Sequence, residues 1–232
     1  VGRLILDSHS LIEDSRSRTL QRLLEIRAAH PEYLEIFVLD TTGEILVVAP
    51  EGQKPLVDVA TLDQLHATHS TAVSDLLLYV PENRPAIQIL VPAHSQDSHL
   101  LAAGVTLDAR ALGQSLAPLV QDTRFSITLC DRKGWSIYST LDPEMPWAQR
   151  DWSSYKHVRE ALQGRSVPIQ DKLTRLDGSS YVGAATPIPG IGWVVNVCER
   201  IQDTLGHVRN RMVNDLVMLA ALTVVGLVAA MA

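Results

Sequence analysis

Ile36-Phe37-Val38-Leu39-Asp40-Thr41-Thr42-Gly43-Glu44-Ile45-Leu46 and Ile127-Thr128-Leu129-Cys130-Asp131-Arg132-Lys133-Gly134-Trp135-Ser136-Ile137 follow one pattern. An apolar run ends on Asp, a turn closes at Gly, and a second run returns, which is how a hairpin is written in sequence. Further on, each copy has a strand closing on a proline, Pro92 and Pro187, followed by a turn and another strand at nearly the same interval. A pattern that recurs with its spacing kept is a duplicated domain, and an internal repeat decides the fold ahead of any single element. Asp40 and Asp131 read as turn formers, because a short carboxylate can accept hydrogen bonds from the backbone just ahead of it.

The chain has 232 residues, room for two such units with a small core each. With 46% hydrophobic and 20% charged residues it has the composition of a folded protein, not of a disordered one. A net charge of −6 argues against nucleic acid as a partner, since phosphate binding needs clustered Lys and Arg. Arg16, Arg18, Arg22 and Arg27 alternate with acids and read as a solvated helix face.

The two ends set the class. Leu216–Ala232 contains no charge and no proline, and Arg209, Arg211, Asn214 and Asp215 border it. At about 17 residues it sits near the lower limit for a membrane span, and it is apolar on every side. The first residue is not Met, and an earlier membrane anchor is expected ahead of it. Leu4 to Ala29 places apolar residues at helical gaps of three and four, and His30-Pro31 ends the helix.

These signals divide the chain into a long helix (1–30), a first α+β domain (31–121), a second (122–200), and a linker with a truncated membrane segment (201–232). In the first domain, strands are expected at Leu34–Leu39, Glu44–Ala49, Asp75–Val80, Ala86–Pro92 and Leu100–Leu107, with helices at Thr61–Thr68 and Ala109–Leu119. In the second they fall at Phe125–Cys130, Ser136–Thr140, Ile169–Arg175, Ser180–Ile188 and Gly192–Cys198. Ser153 is expected to cap a helix ending at Leu162, with Gly164 as its stop. Asp177-Gly178 marks a hairpin. Glu199 is expected to start a helix over Ile201–Asn214 that runs on into the apolar segment.

In this order and spacing the chain resembles the double Cache family, the extracytoplasmic sensor modules of bacterial transmembrane receptors. Phe37-Val38-Leu39-Asp40-Thr41-Thr42-Gly43, Val73-Ser74-Asp75, Arg84-Pro85-Ala86-Ile87-Gln88-Ile89-Leu90-Val91-Pro92 and Pro187-Ile188-Pro189-Gly190-Ile191-Gly192-Trp193-Val194-Val195 carry the resemblance. It implies a long first helix, two PAS-like domains with antiparallel sheets, one distal and one proximal to the membrane, and a C-terminal membrane helix. It also implies an inner-membrane protein with its sensor domains in the periplasm, and a homodimer paired through the Leu4–Ala29 helix.

The family's ligand cavity lies in the distal domain, between the sheet and its covering helix. The resemblance places Asp75, Tyr79 and Gln88 along it and Arg84 near its mouth. Arg suits a carboxylate, Asp an amine, and Tyr and Gln orient by hydrogen bonds. One departure counts against an amino-acid ligand. Members that bind amino acids carry an Arg-x-Trp-Tyr cluster where this chain reads Leu62-Asp63-Gln64-Leu65-His66-Ala67-Thr68-His69.

No Walker loop, Gly-x-Ser-x-Gly elbow or His-Glu-x-x-His is present, so neither an enzyme nor a cofactor is expected. His66 and His69, and His94 and His99, are too few to converge on a metal. Cys130 and Cys198 close the first and last strands of the second domain. If those strands run parallel as neighbours, a disulfide is open to them in an oxidising periplasm, against two separately packed thiols. Trp135, Trp147, Trp152 and Trp193 all lie in that domain and are expected to pack its core and lids.

The resulting expectation is a ligand-sensing ectodomain. A small solute in the distal pocket shifts two domain arrangements, and the C-terminal helix carries the shift to a cytoplasmic diguanylate cyclase, histidine kinase or chemoreceptor domain. The alternative is an ectodomain that docks a periplasmic protein without a small ligand. A distal cavity with inward polar groups favours the first, and large apolar side chains filling it favour the second.

Overall fold

The computed structural model describes residues 16–52, 55–93, 100–116, 125–172 and 179–202. Helix α1 (Arg16–Ala29) buries Thr19, Leu23 and Ile26, one side of the helix, against the outer face of the first sheet. It stops at His30, whose N–H turns back to the carbonyl of Arg27 at 3.1 Å, just before Pro31. The stretch of the expected helix before Arg16 lies outside the described residues.

The first sheet contains β1 (Tyr33–Asp40), β2 (Ile45–Ala49), β3 (Ala72–Val73), β4 (Leu77–Tyr79), β5 (Arg84–Pro92) and β6 (Leu100–Asp108), with α2 (Val59–Thr68) between β2 and β3. Its strand order is β2-β1-β6-β5-β3, and β4 also pairs with β5. Helix α3 (Ala109–Leu116) leads towards the second sheet. That sheet contains β7 (Phe125–Cys130), β8 (Ser136–Ser139), β9 (Val167–Lys172), β10 (Ser180–Pro187) and β11 (Val194–Arg200), in the order β8-β7-β11-β10-β9. Helix α4 (Lys156–Leu162) lies between β8 and β9. The two orders are the same path through two sheets, so the duplication holds in three dimensions, and every pairing is antiparallel.

The repeated turn is built identically in both halves. Asp40 Oδ1 accepts the N–H groups of Thr42 at 2.8 Å and Glu44 at 2.9 Å, and Asp131 Oδ1 accepts those of Lys133 at 2.9 Å and Trp135 at 2.8 Å. Each turn closes through a glycine at positive φ, Gly43 at 84° and Gly134 at 83°, which side chains avoid. One apolar core runs through both halves. It passes from Leu23 and Ile26 of α1 by way of Ile36, Ile87, Val105 and Leu76 to Leu129, Ile137 and Trp193 of the second sheet.

Several sequence expectations need correction. The expected strand Asp75–Val80 shortens to β4, Leu77–Tyr79, and a two-residue strand not expected from the sequence, β3, precedes it. Ser74 to Leu76 leave the ladder because Ser74 exchanges hydrogen bonds with Gln88 while Asp75 and Leu76 bond to the second domain. Ser153 does not cap α4: the helix starts after Tyr155 with no side-chain cap, and the Ser153 hydroxyl bonds Asp151 instead. The last strand starts at Val194 rather than Gly192, whose φ of 72° belongs to the preceding turn, and it continues through Arg200, so Glu199 is strand. Among the tryptophans, Trp152 and Trp193 are buried, while Trp135 and Trp147 are partly buried and face each other with ring centroids 5.1 Å apart. No helix among the described residues is long and apolar enough to cross a membrane. The expected span Leu216–Ala232, the linker helix beyond residue 202 and the Asp177-Gly178 turn lie outside those residues.

The disulfide reading is also corrected. β7 and β11 are neighbours but antiparallel, with Cys130 opposite Val194 and Cys198 opposite Ser126. The two cysteines therefore sit at opposite ends of the pair, about 13 Å apart at ~3.3 Å per residue, well beyond the ~7 Å that a bridge can reach. Both are free and buried, and burial pushes both thiols up from their ordinary values. We expect neither thiol to react with a water-soluble disulfide reagent until the protein is unfolded, and both to react then without prior reduction. Missing thiols in the unfolded, unreduced protein would contradict this arrangement.

Candidate functional site

Alternation along β1 sends Glu35, Phe37 and Leu39 to one face of the first sheet and Ile36 and Val38 to the other. The first face lies under α2. That helix is capped by Asp58, whose Oδ2 accepts the Thr61 N–H at 3.0 Å, and it ends at His69 in the left-handed region. Beneath it, Phe37, Leu39, Leu65, Ala72, Leu90 and Ala102 pack without polar groups. Gly104 makes this possible: a Cβ there would lie 2.2 Å from Cε2 of Phe37, so the ring rests directly on the β6 backbone. This half of the face is filled.

Beyond Phe37 the same face opens into a cleft of about 330 Å³. Glu35, Tyr79, Gln88 and Thr106 supply its polar groups, and its walls are apolar, chiefly Leu56, Leu77, Leu78 and Val80. Small-molecule sites have this make-up, with apolar walls and a few convergent polar atoms. Glu35 is 2% exposed. Its Oε1 accepts from the Tyr79 hydroxyl at 3.2 Å and its Oε2 from the Thr106 hydroxyl at 3.3 Å. Burial raises its carboxyl above the ordinary value, although those two hydroxyls and the charge of Arg27 pull the other way. Burial, and then the Glu35 charge, hold Tyr79 neutral far above the ordinary tyrosine range.

Of the four residues proposed from the sequence as ligand contacts, the structure brings Tyr79 and Gln88 into the cleft. The Gln88 amide is occupied there. Its Nε2 donates to the Leu56 carbonyl and to Thr106 Oγ1, and its Oε1 accepts the Asp58 N–H at 2.9 Å, which pins the segment entering α2. Arg84 is engaged outside the lining, by Glu82 at 3.0 Å and Asp108 at 3.5 Å. Asp75 faces the second domain. Glu35 and Thr106 were not singled out from the sequence. A usable signal existed for Glu35: it is the only acidic or basic residue inside the otherwise apolar run Tyr33–Leu39, and a charge in such a strand needs a reason to be there.

The segment between β3 and β4 clasps the second domain. Asp131 Oδ2, the oxygen its own turn leaves unused, accepts the Leu76 N–H at 3.0 Å. The guanidinium of Arg132 donates to Asp75 Oδ1 at 2.7 Å, Gln64 Oε1 at 3.0 Å and the Val73 carbonyl at 3.0 Å. Lys133 stands 3.5 Å from the other Asp75 oxygen. Asp131 is 1% exposed. Burial raises its carboxyl, opposed by the N–H groups of Trp135, Leu76 and Lys133, whereas solvent-facing Asp40 is held low by Thr42. Leu76 is followed at once by β4, so one wall of the cleft is tied directly to the β7–β8 turn.

His66 and His69 are both exposed around the end of α2, and no group of three or more metal-ligating side chains is found among the described residues. His94 and His99 lie outside those residues.

No family model and no curated protein matches the sequence. Solved structures do match. The extracellular domain of a histidine kinase aligns with a TM-score of 0.64 at 13% identity, over 87% of this chain and 84% of that one. The ligand-binding domain of the amino acid chemoreceptor PctB of Pseudomonas aeruginosa PAO1, in complex with L-Gln, gives 0.62 at 15% identity over 94% and 90%. That of the Pseudomonas fluorescens chemoreceptor CtaA, in complex with L-leucine, gives 0.56 at 12% over 88% of each chain.

Proposed function

We propose, from a fold that is that of the Cache-type extracellular sensor domains, that this chain is the ligand-sensing part of a membrane receptor. A small solute binds the cleft beside Glu35 in the distal half. The observation that carries this reading is the position of β4, which lines the cleft on one side and continues at Leu76 into the hydrogen bond with Asp131 on the other. A ligand that favours one placement of Leu77–Tyr79 thereby favours one placement of the β7–β8 turn. β11 is hydrogen-bonded to β7 along its length and takes the shift towards the C-terminal segment.

On this reading the chain binds rather than catalyses. The apolar Leu216–Ala232 segment anchors it in the bacterial inner membrane with both domains in the periplasm. The long first helix pairs two copies, and the output lies in a cytoplasmic diguanylate cyclase, histidine kinase or chemoreceptor domain. The docking alternative draws on Phe37, Leu39, Leu65 and Leu90, which fill the space under α2. The open polar cleft next to them favours the solute. A thermal-shift screen of the purified chain against small metabolites tests the choice. We expect at least one to raise the midpoint by several degrees when present at about 100 times its Kd, a stabilisation of about 2.7 kcal/mol. A screen without hits, combined with capture of a defined periplasmic protein, would support docking instead.

A further inference from the structure

We propose that the ligand of the distal cleft is a small organic cation, a primary amine on a short apolar body that carries no carboxylate. The inference rests on the sensor reading above and adds the chemistry of what is sensed.

Among the described residues, the only charged group lining the cleft is the carboxylate of Glu35. A carboxylate offers about four acceptor positions, and the two hydroxyls on it stand at 3.2 and 3.3 Å. Hydrogen bonds from hydroxyl to charged carboxylate usually measure about 2.5–2.7 Å. The group is therefore almost fully withdrawn from water yet loosely held. A buried charge in that condition is costly unless a counter-charge arrives.

Among the described residues, no basic side chain lines the cleft to take that role. The Nε of Arg27 donates to the Leu34 carbonyl at 3.1 Å, and Arg84 is held by Glu82 and Asp108. An ammonium group placed against Glu35 supplies both the charge and the missing donors. Leu56, Leu77, Leu78 and Val80 then cover an apolar body, and a volume of about 330 Å³ keeps it small. A carboxylate on the same ligand would meet no cation among the described lining residues and would sit among leucines, at a desolvation cost. The cleft thus separates an amine from the amino acid that shares its side chain.

The test uses isothermal titration of the full chain at pH 7 with isoamylamine and phenethylamine. Isoamyl alcohol, isovalerate and L-leucine serve as matched controls. We expect the amines to bind and the alcohol, the acid and leucine each to bind on the order of 10-fold more weakly or not at all. Glu35→Gln should weaken isoamylamine by on the order of 30-fold, the loss of a hydrogen bond to a charged partner. The variant's own folding is read from its melting point without ligand. That should match or exceed the parent's at pH 7, because a buried charge has been removed. A Glu35→Gln protein that melts higher yet still binds isoamylamine as well as the parent would overturn the proposal. So would leucine or isovalerate binding as tightly as the amine.

Acidity gives a second readout. Burial has raised the Glu35 carboxyl, while the neighbouring Tyr79 is held neutral far above the ordinary tyrosine range. Amine affinity should therefore fall as the pH drops through that raised value. The unliganded protein should gain stability over the same interval, down to the ordinary carboxylate value, because protonation then favours the folded state. If none of these probes binds while another solute from the metabolite screen does, the amine assignment is wrong and the sensor reading stands. If nothing binds in either experiment, the sensor reading falls with it.

Discussion

Replacing Asp131 with alanine is expected to lower the free energy of unfolding by about 3 kcal/mol, because the buried carboxylate accepts three N–H groups, among them the buried one of Leu76. At this size that is roughly 10 °C in the melting midpoint. The same change at Asp40 should cost clearly less. Both acids hold their own turn through Oδ1, but Asp40 is turned to solvent, where water replaces the lost acceptor. Asp131 also holds the Leu76 N–H of the other domain and is 1% exposed. The comparison isolates what one copy of the repeat gained over the other. Parallel denaturant titrations of the two variants make the measurement. Equal losses would mean that the bond to Leu76 contributes nothing. On the sensor reading, Asp131→Ala should also bind ligand in the distal cleft while passing less of the change to the proximal half, because the wall of the cleft is no longer tied to the turn.

Phe37→Ala is expected to cost about 3–5 kcal/mol, the usual range for emptying a fully buried aromatic site. Phe37 is 0% exposed and its ring rests on Gly104. Gly104→Ala alone should also destabilise, by about 1–3 kcal/mol, since the new methyl enters space the ring occupies. Combined, the two changes should cost less than their sum, because alanine at 104 partly refills the hole that Phe37→Ala leaves. Additive losses would show that the ring does not lie where the structure puts it. Glu35 and Phe37 share a face of β1, so the single Phe37→Ala variant should in addition accept ligands with bulkier apolar bodies than the parent does.

The comparison of Asp40 with Asp131 also shows what could be read from the sequence. The repeat, the turns and the strands around them were legible because their causes are local: alternation, a side chain that bonds its own backbone, and a glycine where φ must be positive. Strand pairing is not local. Cys130 and Cys198 looked like bridging partners only while their strands were taken as parallel, and nothing near either cysteine states the direction of its neighbour. The Asp75–Val80 stretch looked like one strand because its composition allows it. Its first two residues are drawn off the ladder by Asp131 and Arg132, partners far along the chain. The cleft was half visible for the same reason. Tyr79 and Gln88 follow from strand alternation in the region that the resemblance indicated. Arg84 looked free in a turn, yet Glu82 and Asp108 claim it once the chain is folded. Glu35 was hidden by the apolar residues around it, and only three dimensions show that a cleft opens at that one position.

The place of β11 in its sheet has a mechanical consequence. The strand that leaves the second domain is the middle one, bonded to β7 from Val194 to Glu199 and to β10 from Val194 to Arg200. A pull along the chain beyond Arg200 is therefore resisted in shear by two ladders at once, whereas an edge strand could be peeled away one bond at a time. Such a joint bears load in both directions without fraying, and the sheet moves as a plate. The first sheet exits in the same manner, through β6 between β1 and β5. The duplication thus copied a load-bearing outlet along with the fold, and placed two of them in series.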